Sequence, residues 1–166
     1  MYQVGQKVVY GIHGVCCIQE IETKTIDRKK ISYFVLEPQN QPGARYYIPT
    51  ENPAALKKMN PLLTRSEIEA LLAECNSSGS SWIADENQRK LRYRELITSG
   101  DRRALVIMVH TLRVHKRQQA EQGKKFHLCD ENFLRDAEKL LCSEFSVVLG
   151  LSYEETARYL RNYFED

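Results

Sequence analysis

The sequence predicts an α+β protein in which a small, strongly bent antiparallel sheet or open barrel is followed by an all-helical module of about five helices. Two observations predict this. Residues 1–50 are rich in β-branched and aromatic residues between turn signals, whereas apolar residues recur with a period near 3.6 from Pro53 onward. A chain of 166 residues suits one mid-sized domain or two small ones. We predict a β domain over 1–58, a helix and a Ser/Gly linker over 59–81, and a helical domain over 82–166.

The N-terminal strands are indicated by short runs rich in valine, isoleucine and tyrosine, at residues 7–10, 14–21, 33–36 and 46–48. Turn signals separate these runs: Gly11 and Gly14, the polar stretch 27–30, and the Pro–Gly pair within 40–43. So few short strands in about 50 residues bury little apolar surface unless the sheet curls. The size suits an SH3-like or Tudor-like barrel.

The first helix is predicted to begin after Thr64, because Thr64 and Glu67 have the spacing of a capping box, and to end near Cys75. The second is predicted from about Trp82 to just before Gly100. Its expected inner face consists of Leu91, Leu96 and Ile97.

Three further helices are predicted from caps and apolar spacing. Asp101 is the expected N-cap of a helix that runs to Gly123, a fourth helix covers about 130–149, and a capping box at Ser152 and Glu155 opens a short last helix. The expected inner faces are Leu105, Met108, Val109 and Leu112, then Leu134, Ala137, Leu141, Phe145 and Val148, then Ala157 and Leu160.

Several classes of protein are disfavoured by composition. The sequence has no run of 18 apolar residues and no signal-peptide pattern at its N-terminus, so we expect a cytoplasmic protein without a membrane segment. The cysteines are odd in number and lack C-x-x-C spacing, which disfavours a disulfide framework and a zinc site. We expect reduced thiols with structural roles.

Catalysis has weak support in the sequence. His13 lies near Cys16 and Cys17, and a Cys–His pair can be nucleophilic, but adjacent strand residues face opposite ways and His13 suits a turn. His110 and His115 miss the i, i+4 spacing of a shared metal. We therefore expect neither an enzyme nor a cofactor, metal or small-molecule substrate.

Charge is unevenly distributed along the chain. Residues 89–125 contain eleven basic and three acidic residues, a net charge of +8, whereas residues 126–166 contain four basic and nine acidic residues, a net charge of −5. A basic helical surface is often only solvated. Acidic partners at i+4 are scarce in the basic segment, however, and unpaired Lys and Arg side chains attract phosphates. The candidate DNA contacts in this segment are Arg89, Lys90, Arg92, Arg94, Lys116 and Arg117.

Trp82 follows a Ser/Gly run and precedes the basic segment, and three interpretations remain open for it. It can be a core residue of the helical module. It can anchor a protein interface. It can also act on nucleic acid, because an apolar ring beside phosphate-binding cations can be wedged into a base step or stacked on an unpaired base.

The N-terminal segments GQKVVYGIHGVCCIQEIE, YFVLEP and YYIPTEN resemble the RNA-polymerase-interacting domain of the CarD/CdnL family of bacterial transcription regulators, a domain shared with the transcription-repair coupling factor. The later SGD, the basic helix after it and DAEKLLCSEF resemble the helical C-terminal domain of the same family. Together these segments span nearly all of the chain.

This resemblance implies a Tudor-like module that binds the β subunit of RNA polymerase, and a helical module that contacts promoter double-stranded DNA at the edge of the transcription bubble. By the same resemblance Trp82 matches a minor-groove wedge, followed by candidate phosphate contacts at Arg89, Lys90, Arg92 and Arg94. The polymerase-facing strand corresponds to Arg45, Tyr46, Tyr47 and Ile48.

The function that we predict is therefore a transcription regulator that bridges RNA polymerase and promoter DNA and stabilises the open complex. The alternative is a protein–protein adaptor, whose β module binds polymerase or another partner while its basic helices meet an acidic protein surface.

Overall fold

The change from strand to helix patterning corresponds to a division of the structure into two units, residues 1–62 and 63–166. The computed structural model describes residues 1–78 and 81–164. The predicted Ser/Gly linker lies partly outside the described residues. The helix that we predicted within the intermediate segment 59–81 is part of the second unit.

The first unit is a five-stranded antiparallel sheet with the strand order β4-β3-β2-β1-β5. A 3₁₀ turn, Gly11–His13, links the first two strands, and a four-residue helix α1, Pro53–Leu56, precedes the last strand. The strands are β1 Lys7–Tyr10, β2 Val15–Ile26, β3 Lys29–Pro38, β4 Tyr46–Pro49 and β5 Met59–Pro61. The prediction of a bent antiparallel sheet is confirmed, but β2 and β3 are longer than we expected.

The polar turn predicted around residue 27 is a tight hairpin between β2 and β3. Asp27 and Arg28 both have positive φ angles, 49° and 65°, which is the backbone pattern of a two-residue turn whose twist matches that of the strands. A register shift between Ile18 and Glu20 bends β2. The bend lets the sheet curl around its own apolar core, which consists of Val8, Cys16, Ile18, Phe34, Leu36, Ile48 and Met59.

The second unit contains five helices among the described residues. They are α2 Arg65–Ser78, α3 Glu86–Ser99, α4 Arg102–Glu121, α5 Leu128–Leu149 and α6 Tyr153–Phe164. Helix α4 packs against α5 and α2, and α5 packs against α6. Their apolar faces share one core, in which Leu112 and Phe145 are fully buried.

The predicted helix caps are present. The amide of Glu67 donates to Thr64 Oγ1 at 3.2 Å, and the amide of Thr64 donates to Glu67 Oε1 at 3.3 Å. The amide of Ala104 donates to Asp101 Oδ1 at 3.1 Å. Each cap satisfies backbone donors that the first helical turn leaves without partners. The second predicted capping box, at Ser152 and Glu155, also forms in both directions.

Helix α3 differs from the prediction in its start and in its inner face. It begins at Glu86, after the N-cap Asp85, rather than near Trp82. Leu91 is 62% exposed, whereas Arg89 and Tyr93 are buried. The prediction placed Leu91 inward because it is apolar; the helix instead turns a charged side chain inward. None of the helices in residues 1–78 and 81–164 combines the length and the apolar character that a bilayer span requires.

Candidate functional site

The strand predicted to face polymerase is β4, which Arg45 directly precedes, and its alternation divides Tyr46, Tyr47 and Ile48 between two faces of the sheet. Ile48 is 1% exposed and belongs to the core. Tyr46 is half-buried, and its ring stacks on His13 with the ring centroids 4.1 Å apart. Arg45 and Tyr47 are exposed. The structure therefore places Ile48 among residues that support the strand, and leaves Arg45 and Tyr47 on a surface that a partner can reach.

Tyr47 is the centre of a small surface whose other members, Tyr33, Lys24 and Glu20, the sequence analysis did not identify. The Tyr33 ring meets the Tyr47 ring edge-on, with centroids 6.3 Å apart, and Lys24 Nζ lies 4.2 Å from the Tyr47 ring centroid. Beside them, Arg45 Nη1 lies 3.6 Å from Glu20 Oε1. The alternation of outward Tyr33 with inward Phe34 along β3 is the signal that could have revealed this surface.

The position of β4 in the sheet adds a second feature. It is the terminal strand and pairs with β3 among the described residues, so one side of its backbone faces away from the sheet. Backbone N–H and C=O groups on such an edge can pair with an added strand, and adjacent aromatic side chains can give that pairing specificity. The exposed ring of Tyr47, 41% accessible, stands on this edge.

The residues considered for catalysis have other contacts. His13 lies in an aromatic stack, with its ring centroid 5.5 Å from that of Tyr10 as well as close to Tyr46. The Cys16 thiol is buried and donates to the Gly14 carbonyl at 3.7 Å. Burial, and then the neighbouring Cys17, raise the pKa of Cys16 to about 11, which keeps the thiol protonated at neutral pH.

All five cysteines are free. Desolvation raises the pKa of Cys142 to about 12, with a further contribution from Glu138. Among residues 1–78 and 81–164, no group of three or more His, Cys, Asp and Glu side chains is arranged to hold a metal ion. His110 and His115 have separate ring partners: His110 stacks on Phe164, and His115 stacks on Trp82.

Trp82 is half-buried and packs against the core of the helical unit. Its indole lies parallel to the His115 ring, with centroids 3.5 Å apart, and the Arg89 guanidinium lies 4.4 Å from the centroid of the indole. The amide of Ser81 donates to Thr111 Oγ1 at 3.2 Å and fixes the segment that leads to Trp82. These contacts favour packing, the first of the three interpretations open for Trp82.

Arg89 forms a buried ion pair with Asp130, so the prediction that Arg89 contacts DNA needs correction. Its Nε and Nη2 atoms donate to the two carboxylate oxygens of Asp130 at 2.9 and 3.0 Å, and its Nη1 atom donates to the Ile83 carbonyl at 3.1 Å. Arg89 is 4% exposed and Asp130 is 0% exposed. Burial opposes the charged form, but hydrogen bonds to Asp130 and its charge outweigh burial and raise the pKa of Arg89. A phosphate would have to displace this carboxylate.

The other three predicted cations of α3 lie closer to solvent. Lys90 Nζ lies 3.2 Å from Glu86 Oε1, and Arg92 Nη1 lies 3.4 Å from Glu95 Oε2. Arg94 is exposed, with no ion pair among the described residues. Exposed ion pairs of this kind contribute little to stability. A phosphate can therefore exchange with these carboxylates at small cost.

The two predicted cations of α4 are also exposed. Lys116 Nζ lies 3.0 Å from Glu131 Oε1, and Arg117 Nη2 donates to the Phe164 carbonyl at 3.4 Å. Neither contact removes the side chain from solvent. Both side chains are accessible to an anion from solvent, although Lys116 has a carboxylate partner.

The basic segment and the acidic C-terminal segment neutralise each other in part. Cations of α3 and α4 pair with carboxylates of α5. These partners are far apart in sequence, so the i+4 spacing considered in the sequence analysis did not indicate them. The pairs are Arg89–Asp130, Arg102–Glu144, Arg113–Glu138 and Lys116–Glu131. The uneven charge along the chain thus becomes pairing between helices, and only part of the +8 remains available to a partner.

The β unit is a small antiparallel sheet with an exposed aromatic edge strand. Residues 2–60 match the family model of the CarD-like/TRCF RID domain. This part of the chain is a CarD-like RNA-polymerase-interacting domain, and it gives the protein a role in transcription through RNA polymerase. The match includes β1 to β4, and helices α2 to α6 lie outside it. A search among proteins of curated function found no match.

Proposed function

We propose that the protein is a non-enzymatic transcription regulator that binds the β subunit of RNA polymerase through β4, and that its helical unit contacts promoter DNA. The observation that carries the proposal is the exposed Tyr47 surface on the edge of a unit that matches the polymerase-interacting domain. Strand addition at β4 would supply backbone hydrogen bonds, with Tyr47 and Arg45 giving side-chain contacts.

Promoter contact is proposed for three cations of α3 that solvent reaches, namely half-buried Lys90 and exposed Arg92 and Arg94. The weak surface pairs of Lys90 and Arg92 can exchange for phosphates, and phosphate binding releases counterions from DNA. With the protein held on polymerase, contacts that form only with melted promoter DNA would stabilise the open complex by their differential affinity. Trp82 is outside this set, because a wedge role would require its ring to leave both His115 and Arg89.

A second candidate function, the adaptor without DNA contact, is favoured by the ion pairs between α5 and the basic helices. These pairs reduce the positive charge that a phosphate backbone would meet. In this case the helical unit would bind another protein while the β unit holds polymerase.

The polymerase contact is tested by binding to the isolated β subunit. Replacing Tyr47 with alanine should weaken binding roughly tenfold or more, because exposed aromatic anchors often dominate an interface. The matched control is Tyr153→Ala, since Tyr153 is 47% exposed and lies in the helical unit. If the two variants bind the β subunit with equal affinity, the result would contradict a role for β4 in the interface.

The DNA contact is tested by the salt dependence of binding to a promoter duplex. The double variant Arg92→Gln/Arg94→Gln should lower the log–log salt slope by roughly two, since each cation replaces about one counterion. Lys139→Gln/Arg158→Gln is the control, because it removes two exposed cations from α5 and α6. A slope near zero for the unmodified protein would favour the adaptor.

A further inference from the structure

A groove between α4, α5 and α6 has a charge balance that none of the proposed contacts uses. Its volume is about 440 Å³, which lies within the usual range of small-molecule sites. Its charged lining among the described residues consists of Arg113, Lys116, Arg135, Arg161, Glu131 and Glu138. Four cations against two carboxylates leave a charge of +2, opposite to that of one phosphate group at neutral pH.

The centre of the groove is an Arg–Glu–Arg triad in which one carboxylate serves two guanidinium groups. Glu138 Oε2 accepts from Arg113, and Glu138 Oε1 accepts from Arg161 Nη2 at 3.2 Å. Glu138 is 5% exposed, so the shared carboxylate lies largely out of water, and the side chain of Arg113 is only 19% exposed. A single carboxylate cannot neutralise both cations. The residual positive charge attracts an anion more strongly in a concave, partly desolvated site than on an open surface, because water screens it less.

Arg113 has an additional unsatisfied group. Its Nε–H is buried and has no acceptor among the described residues. A buried donor without a partner is unfavourable, and a bound anion that draws the guanidinium toward the groove would supply an acceptor. The side chain of Arg161 is 51% exposed, so an incoming anion reaches it from solvent.

The groove also has an apolar wall, formed by Leu134 and Tyr153. Tyr153 is 47% exposed, which leaves part of its ring free to pack against a flat group. A ligand with a phosphate and a flat ring would contact the triad and this wall together. A DNA backbone meets proteins along an extended surface, whereas this site is a concave groove bounded by three helices.

We propose that this groove binds a small phosphorylated ligand of nucleotide size, with its phosphate at Arg113 and Arg161 and its ring against Tyr153. The proposal is independent of the promoter contact, which involves the exposed cations of α3.

The test is calorimetric titration of the full chain with adenosine monophosphate, inorganic phosphate and adenosine. We expect saturable binding with affinity falling in that order. Arg161→Gln should weaken binding of both phosphate compounds about tenfold or more, since it removes a charge-assisted contact. Tyr153→Ala should weaken binding of the nucleotide but not of inorganic phosphate.

The matched control is Arg158→Gln. Arg158 is exposed and lies on α6 with Arg161, but it does not line the groove. This variant should bind all three compounds like the unmodified protein. Arg135→Gln removes another positive charge from the groove. The Arg135 side chain is 69% exposed, so this substitution should not disturb folding. Thermal unfolding of each variant verifies that the fold is retained.

Three results would overturn the proposal. The first is the absence of saturable binding of the nucleotide and of phosphate at millimolar concentrations. The second is equal binding by Arg161→Gln and Arg158→Gln. The third is a loss of duplex affinity in Arg161→Gln without any loss of nucleotide affinity, which would assign the groove to nucleic acid.

Discussion

The two sides of helix α3 carry the same kind of residue in opposite roles. On the inner side, Arg89 is enclosed by Asp130 and covered by Trp82. On the outer side, Arg92 and Arg94 lie in solvent, and Arg92 has only a surface partner. Three positions along a helix separate a cation that holds helices together from one that can bind an external anion. Charge in a sequence therefore indicates function only after burial is known.

The largest effect on stability should come from a substitution on the inner side of α3. Arg89→Ala leaves Asp130 buried without its partner and should lower the free energy of unfolding by about 3–5 kcal/mol. Urea unfolding measures this change. Replacing both residues, as in Arg89→Met/Asp130→Leu, should recover much of the stability, because no buried charge remains. A loss below about 1 kcal/mol in the single variant would contradict the structural role of the pair.

Trp82→Ala should have the next effect, a loss of about 2–3 kcal/mol, since the ring is half-buried and stacked on His115. Thermal unfolding provides the measurement. Trp82 is the only tryptophan, so its fluorescence also reports this contact: His115→Ala should shift the emission toward that of a solvated indole. An unchanged stability together with reduced binding of melted promoter DNA would instead support the wedge interpretation.

A smaller change should appear with pH. Burial lowers the pKa of His110 and of His115 from the ordinary value of 6.5, with further lowering from Arg117 for His110. The unfolded chain therefore binds protons first as pH falls below about 6.5, and the folded state loses stability toward its own lower pKa values. Urea midpoints between pH 7.5 and 5.5 should fall less in His110→Gln/His115→Gln than in the unmodified protein. A steeper fall of the urea midpoint in the variant would contradict the predicted direction of the pH dependence.

The smallest change in stability should come from the outer side. Arg92→Gln/Arg94→Gln should alter the free energy of unfolding by less than about 0.5 kcal/mol, because exposed ion pairs contribute little. Urea unfolding of this variant, beside Arg89→Ala, tests the contrast between the two sides directly. A loss comparable to that of Arg89→Ala would mean that the outer cations are also structural.

Local features were predictable because the groups that define them are close in sequence. The capping residues Thr64, Asp101 and Ser152 act on amides within three residues, and the Asp27–Arg28 hairpin is closed by its own backbone. The apolar periodicity of α4 likewise identified its buried face correctly.

The prediction was wrong where a partner is distant in sequence. Leu91 was assigned to the inner face of α3 and Arg89 to the surface because local pattern ranks leucine above arginine as a buried residue. Asp130 reverses that order from 41 residues away. Ile48 was predicted as part of the polymerase-facing strand, and strand alternation places its side chain in the core of the β unit.

The sequence by itself determined the two-part α+β architecture, the helix caps and the resemblance of the β unit to a polymerase-interacting domain. The architecture and the caps depend on periodicity and on contacts within a few residues, whereas the resemblance depends on the matching N-terminal segments. Only the tertiary structure decided which cations are neutralised, where Trp82 packs, and that Tyr47 stands exposed on an edge strand. Those outcomes depend on distance in space and on burial, and the packing of α3 and α4 against α5 sets both for the charged residues.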